Sequence, residues 1–133
     1  MVKKEDFGSG GGPVLIRREA LELMLGAARE VYPDEFMAML RGEGNLITEV
    51  LIIPASTFGD GFSSAPDWMV PLNAGVVGSV HSHPSRDNRF SDMDLVYFGK
   101  MGGIHLILGY PYQSILDVAA YASDGRKLQV AMK

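Results

Sequence analysis

The apolar positions of the chain follow two periods. Between Ile16 and Tyr32, the residues Leu21, Met24, Leu25, Ala28 and Val31 fall at i, i+3, i+4, i+7 and i+10. That spacing places them on one face of a helix, with Arg18 and Glu22 four apart and off it. Pro33 ends the helix, because a residue before proline avoids the α region. After it, "EFMAML" (35–40) predicts a strand, "RGEGN" (41–45) its turn, and "LITEVLIIP" (46–54) the returning strand of a hairpin. Residues 54–66, "PASTFGDGFSSAP", are turn formers and the longest irregular stretch, a candidate binding loop. "DWMVP" (67–71) predicts a short strand, and "AGVVGSVHSH" (74–83) a buried one ended by Pro84. "SDMDLVYFGKM" (91–101) predicts a short helix closed by Gly102-Gly103. "IHLILGY" and "ILDVAAYA" predict two strands, and "KLQVAM" (127–132) a last one after the turn "SDGR". The order of elements specifies an α/β domain with a single mixed sheet flanked by helices. Strand pairing order does not follow from it.

Composition narrows the class of protein. One domain suits 133 residues, long enough to bury a core without a staple. "GSGGG" (8–12) cannot pack, so residues 1–14 are expected to be a flexible segment and 15–133 the folded domain. The absence of cysteine excludes disulfide scaffolds, cysteine-based zinc ribbons and thiol nucleophiles, and fits an intracellular protein. With net charge −4 and no basic stripe, nucleic acid is not an expected partner. The N-terminus lacks the apolar run of a signal peptide, and no stretch reaches the roughly 18 apolar residues of a membrane span. The expectation is a cytoplasmic protein with no membrane partner; its oligomeric state is open.

The candidate chemistry lies in residues 81–94, "HSHPSRDNRFSDMD", which hold two of the three histidines. Residues i and i+2 of a strand project to one face, so His81 and His83 point the same way. Pro84 ends the ladder there, where a cleft can open. Asp94 follows eleven residues after His83. Two histidines and one carboxylate leave a fourth tetrahedral position for water, the ligand count of a catalytic zinc site. Zinc lowers the pKa of its water to roughly 7, and the attack then needs a carboxylate that is not a ligand. Glu35 is the candidate: it follows a proline break and opens an apolar strand. Spacing alone does not select it over Glu43 or Glu49. Ser91 has two readings, a donor to an oxyanion or the N-cap of a capping box with Asp94. A helix N-terminus accommodates both. His105, inside "GGIHLIL", reads as a core residue or one supporting the site. Trp68 reads as core or interface and, with Phe58 and Phe62, as a candidate substrate contact.

The string H-S-H-P, six residues, then S-x-x-D resembles the JAMM signature of the MPN-plus metalloproteases without a gap. The "PDEF" context and "LGYPY" (108–112) are similar to the compact archaeal members, and the resemblance covers roughly residues 15–130. It implies a cytidine-deaminase-like fold, Zn2+ on His81, His83 and Asp94, Ser91 as oxyanion helper and Glu35 as general acid/base. It also implies an isopeptidase or peptidase that hydrolyses after the C-terminal glycine of ubiquitin-like modifiers. The chain passes from the catalytic helix straight to "IHLILGYPYQ", with no cluster for a second metal. A small ubiquitin-like or sulfur-carrier protein is therefore the expected partner, its tail added as a strand beside residues 54–73. The alternative is a non-catalytic MPN scaffold, against which all five site positions are retained. A nucleobase deaminase needs H-x-E and a cysteine pair, which are missing. A DNA-associated relative with a similar string is disfavoured by the acidic balance.

Overall fold

The computed structural model describes residues 13–52 and 75–133. The glycine-rich stretch at 8–12, the loop and strand expected over 54–71, and Phe58, Phe62 and Trp68 lie outside the described residues. The elements are β1 (Val14–Ile16), α1 (Arg18–Val31), β2 (Met37–Glu43), β3 (Leu46–Ile52) and β4 (Val76–Ser82). They continue with α2 (Asp92–Met101), β5 (Ile104–Leu108), a 3-10 turn (Ile115–Asp117), β6 (Val118–Ala122), β7 (Lys127–Leu128) and β8 (Val130–Met132). Among the described residues, no helix is long and apolar enough to cross a membrane.

The strands form one mixed sheet in the order β7-β6-β5-β4-β2-β3-β1-β8. Only Gln129 separates β7 from β8, yet they occupy opposite ends of that order. The sheet must therefore curl until its two edges approach. Its two faces sort by the period of 2. Ala38 and Leu40 of β2, Val80 of β4, Leu106 and Leu108 of β5, and Ala120 of β6 pack with Leu21, Met24, Leu25 and Ala28 of α1. The alternate residues Met39, Ile107, Ala119 and Tyr121 pack with Tyr97, Phe98 and Met101 of α2. The result is three layers, α1, sheet and α2. A sheet buried on both faces explains why β4, β5 and β6 are buried throughout.

Four expectations need correcting. Val14 lies within the stretch expected to be flexible, and Ile16 within the expected helix, but both are buried in β1, paired in parallel with β3 and β8. The helix starts at Arg18, and Val31, placed on its buried face by spacing, is 38% exposed at its end. The hairpin turn is not "RGEGN". Arg41, Gly42 and Glu43 stay in β2 with a bulge after Arg41, and Gly44-Asn45 alone make the turn. Gly44 at φ 59° is the first-position glycine of a type II′ turn, whose twist matches that of the strands. Finally, "KLQVAM" is two strands, because neighbouring residues join opposite edges of the curled sheet.

Two close contacts brace β4 against β5. The strands run parallel with Gly78 opposite Ile104. A Cβ on Gly78 would stand 1.6 Å from the Ile104 carbonyl oxygen, so only glycine fits. His105 of β5 is fully buried beside Ser79 of β4. Its Nε2–H donates to the Gly102 carbonyl at 2.8 Å, Nδ1 accepts from the Ser79 hydroxyl at 2.6 Å, and the ring stacks on Phe98 at 4.3 Å. His105 is thus a core residue that ties the end of α2 to the sheet.

Candidate metal centre

The site forms where β4 ends against the start of α2. His81 is the penultimate residue of β4 and points to the α2 face with Ser79; it is 4% exposed. His83 lies one residue beyond the strand. Its N–H donates to the Leu108 carbonyl at 2.9 Å, holding it to the end of β5. Its Nδ1 lies 3.0 Å from the Asp87 carbonyl. A carbonyl only accepts, so Nδ1 carries a proton, and in the neutral ring it is Nε2 that offers its lone pair outward. The Asp87 carboxylate holds this turn by accepting from the main chain of Arg89 and from its guanidinium at 3.0 and 3.1 Å. That exposed pair lowers the Asp87 pKa to about 2.

Asp94 enters from the first turn of α2. Its Oδ1 lies 3.2 Å from His81 Nε2 and its Oδ2 3.3 Å from His83 Nε2, with the two Nε2 atoms 3.2 Å apart. Burial pushes the Asp94 carboxyl up, but the hydrogen bonds from both histidines overcome it and hold the group well below the usual carboxylate range. The Asp94 hydrogen bond raises the His83 pKa, with partial burial opposing and the Asp87 carbonyl adding to it. The capping box is present in full. Ser91 Oγ accepts from the Asp94 N–H at 3.1 Å, and Oδ2 of Asp94 accepts from the Ser91 N–H at 2.8 Å. Ser91 borders the same cleft, so the helix cap and the presentation of Ser91 are one arrangement.

Glu35 reaches the site through strand register. β2 and β4 are antiparallel with Met37 opposite His81. The ladder continues through Phe36, which donates to Ser82 Oγ at 2.8 Å and accepts from the Ser82 N–H at 2.9 Å. One register step on, Glu35 stands opposite His83, exposed and lining the cleft. Glu43 lies at the other end of β2, about 20 Å at strand rise from Met37, the partner of His81. Glu49 is on β3, 3.8 Å from Arg41. The cleft, of about 1000 Å³, runs from Glu35 past the two histidines and Asp94 to Arg89 and Lys127.

The ligand atoms of His81, His83 and Asp94 all lie within 4.8 Å of one another, the metal-binding grouping found among the described residues. Two imidazole nitrogens and a carboxylate, with the His83 tautomer set by a backbone carbonyl, fit a divalent transition ion. Sequence reasoning missed the groups behind the ligands: the Asp87 carbonyl, Ser82, and Tyr112, whose phenol donates to the His83 carbonyl at 2.6 Å. "LGYPY" drew notice as a string, but nothing local linked it to His83.

Known proteins share this architecture. A family model for prokaryotic homologs of the JAB domain matches residues 17–121. A probable metalloprotease of Haloferax volcanii is 39% identical over 107 residues, which cover 73% of this chain and 66% of the relative, a little under two thirds of its length. A JAB1/MPN-domain protein of Archaeoglobus fulgidus superposes with TM-score 0.69 at 32% identity, covering 88% of this chain and 96% of its own. A chain solved for JAMM, a metalloprotease-like zinc site in the proteasome and signalosome, gives TM-score 0.70 at 30% identity, covering 92% and 99%.

Proposed function

The chain belongs to the prokaryotic JAB-domain (JAMM/MPN) family, and from that premise we propose that it is a zinc-dependent peptidase. Its substrates are conjugates of small ubiquitin-like or sulfur-carrier proteins, hydrolysed after the modifier's C-terminal glycine. The observation that carries the reading is the convergence of His81 Nε2, His83 Nε2 and the Asp94 carboxylate on one point of a cleft that Glu35 also lines. His81, His83 and Asp94 would hold a zinc ion, which would supply Lewis acidity and lower the pKa of water there. Glu35 takes the proton of the attacking water and returns it to the leaving amine. Ser91 Oγ is held by the Asp94 N–H as an acceptor, so its own proton remains for the developing oxyanion. The Asp87 carbonyl keeps His83 in the tautomer that offers Nε2. Support for the modifier substrate comes from the family resemblance of the H-S-H-P…S-x-x-D string.

The test uses conjugates of the host's own ubiquitin-like proteins. Zinc-loaded protein is expected to release free modifier, and a chelator to stop it. Glu35→Gln is expected to retain zinc and lose about 100-fold or more in kcat. A fully active Glu35→Gln variant removes Glu35 from its role. Failure of the zinc-loaded protein to cleave any conjugate removes this substrate class.

A further inference from the structure

The sheet leaves a gap in the support of the metal centre. His83 donates to the Leu108 carbonyl, but the Tyr110 N–H, next along that side, donates to the Ser85 carbonyl at 2.8 Å, so the His83 carbonyl needs a donor from elsewhere. Tyr112, in the loop after β5, supplies it through its phenol, 2.6 Å away. Tyr112 is 1% exposed. Its backbone is left-handed, φ 59°, which among the described residues no other non-glycine residue adopts. A bulky side chain rarely visits that region. Here its polar backbone groups are both bound: Arg29 of α1 donates to the Tyr112 carbonyl, and the Tyr112 N–H donates to the Gly109 carbonyl at 3.0 Å.

Ser82 Oγ accepts the Phe36 N–H at 2.8 Å, so β2 is tied to β4 one residue before His83. A carbonyl only accepts, so the Tyr112 O–H is the donor to His83. Tyr112 is buried, where such a bond is stronger than in water.

We propose that Tyr112 is a positioning residue that sets the placement of His83, because its buried phenol holds the His83 main chain where β4 ends. The proposal rests on the zinc-peptidase reading above. Tyr112→Phe keeps the ring and removes only the link. It is expected to weaken zinc binding, measured by chelator competition, by about tenfold or more, and to alter the visible absorption of the cobalt-substituted protein. It is also expected to lower kcat with KM unchanged. Arg29→Ala frees the Tyr112 carbonyl from α1 and is expected to shift affinity and cobalt spectrum in the same direction. In the Tyr112→Phe/Arg29→Ala protein the two losses are expected to add to less than their sum. Wild-type zinc affinity and an unchanged cobalt spectrum in folded Tyr112→Phe, or in Arg29→Ala should Tyr112→Phe not fold, would overturn the proposal. The affinity and spectral arms need no turnover, so a wild-type protein that binds metal but cleaves no conjugate sinks the substrate reading and leaves this one standing.

Discussion

Asp94 shows how much one side chain can be asked to do. Its two oxygens face two imidazoles, and one of them also accepts the Ser91 N–H, so the carboxylate that caps α2 is the carboxylate offered to a metal. Ser91 shares the double duty, and its two roles can be separated by measurement. Loss of an N-cap costs about 1 kcal/mol, while loss of an oxyanion donor costs about 10²–10³ in kcat. Ser91→Ala is expected to show both, with zinc content unchanged by metal analysis. A fall in kcat of less than tenfold alongside the stability loss would leave Ser91 with the cap alone. At this scale the sequence was legible for residues close together in the chain. His81, His83, Ser91 and Asp94 span fourteen positions, and strand and helix periods are enough to aim them. Glu35 was legible only as an oddity after a proline. Its choice over Glu43 and Glu49 waited on the antiparallel register of β2 on β4, a contact between residues 46 apart.

β4 is the element on which the site depends. It carries His81, presents His83 at its end, aligns Glu35 through β2, and is locked to β5 by the Ser79–His105 bond. Gly78 makes that lock possible, since a methyl group there would occupy the Ile104 carbonyl. Gly78→Ala is expected to destabilise the fold by about 1–3 kcal/mol, the usual range for overpacking. The urea midpoint should drop with an unchanged m-value, and zinc affinity should fall with it as β4 shifts. A Gly78→Ala protein with wild-type midpoint and affinity would contradict the close β4–β5 approach. The short helix α2 was readable from Ser91 to Gly102 because its capping box and glycine stop lie within its own sequence. β1 was not, since three residues form a strand only where β3 and β8 supply the partners.

For the whole molecule, the two-faced core bears on what a metal does for stability. α1 and α2 cover opposite faces of the sheet with apolar side chains, and none of that packing passes through His83 or Asp94. Chelated protein is therefore expected to stay folded, with far-UV circular dichroism unchanged, as for a catalytic site rather than a structural one. Zinc should still raise Tm by mass action, because it binds the folded site: about 2.7 kcal/mol at a hundredfold excess over Kd. His81→Ala should abolish that increment. Unfolding on chelation would recast the ion as a staple of the fold.

By itself the sequence determined the fold class, the face of α1, the extent of α2 and the cluster from His81 to Asp94, because each is written in local periods, caps and breakers. The tertiary structure decided the curl that sends Leu128 and Val130 to opposite edges, the place of Glu35 and the link from Tyr112 to His83. Those are contacts between distant residues, set by register and by the burial of polar groups that must find partners, and no local pattern encodes them.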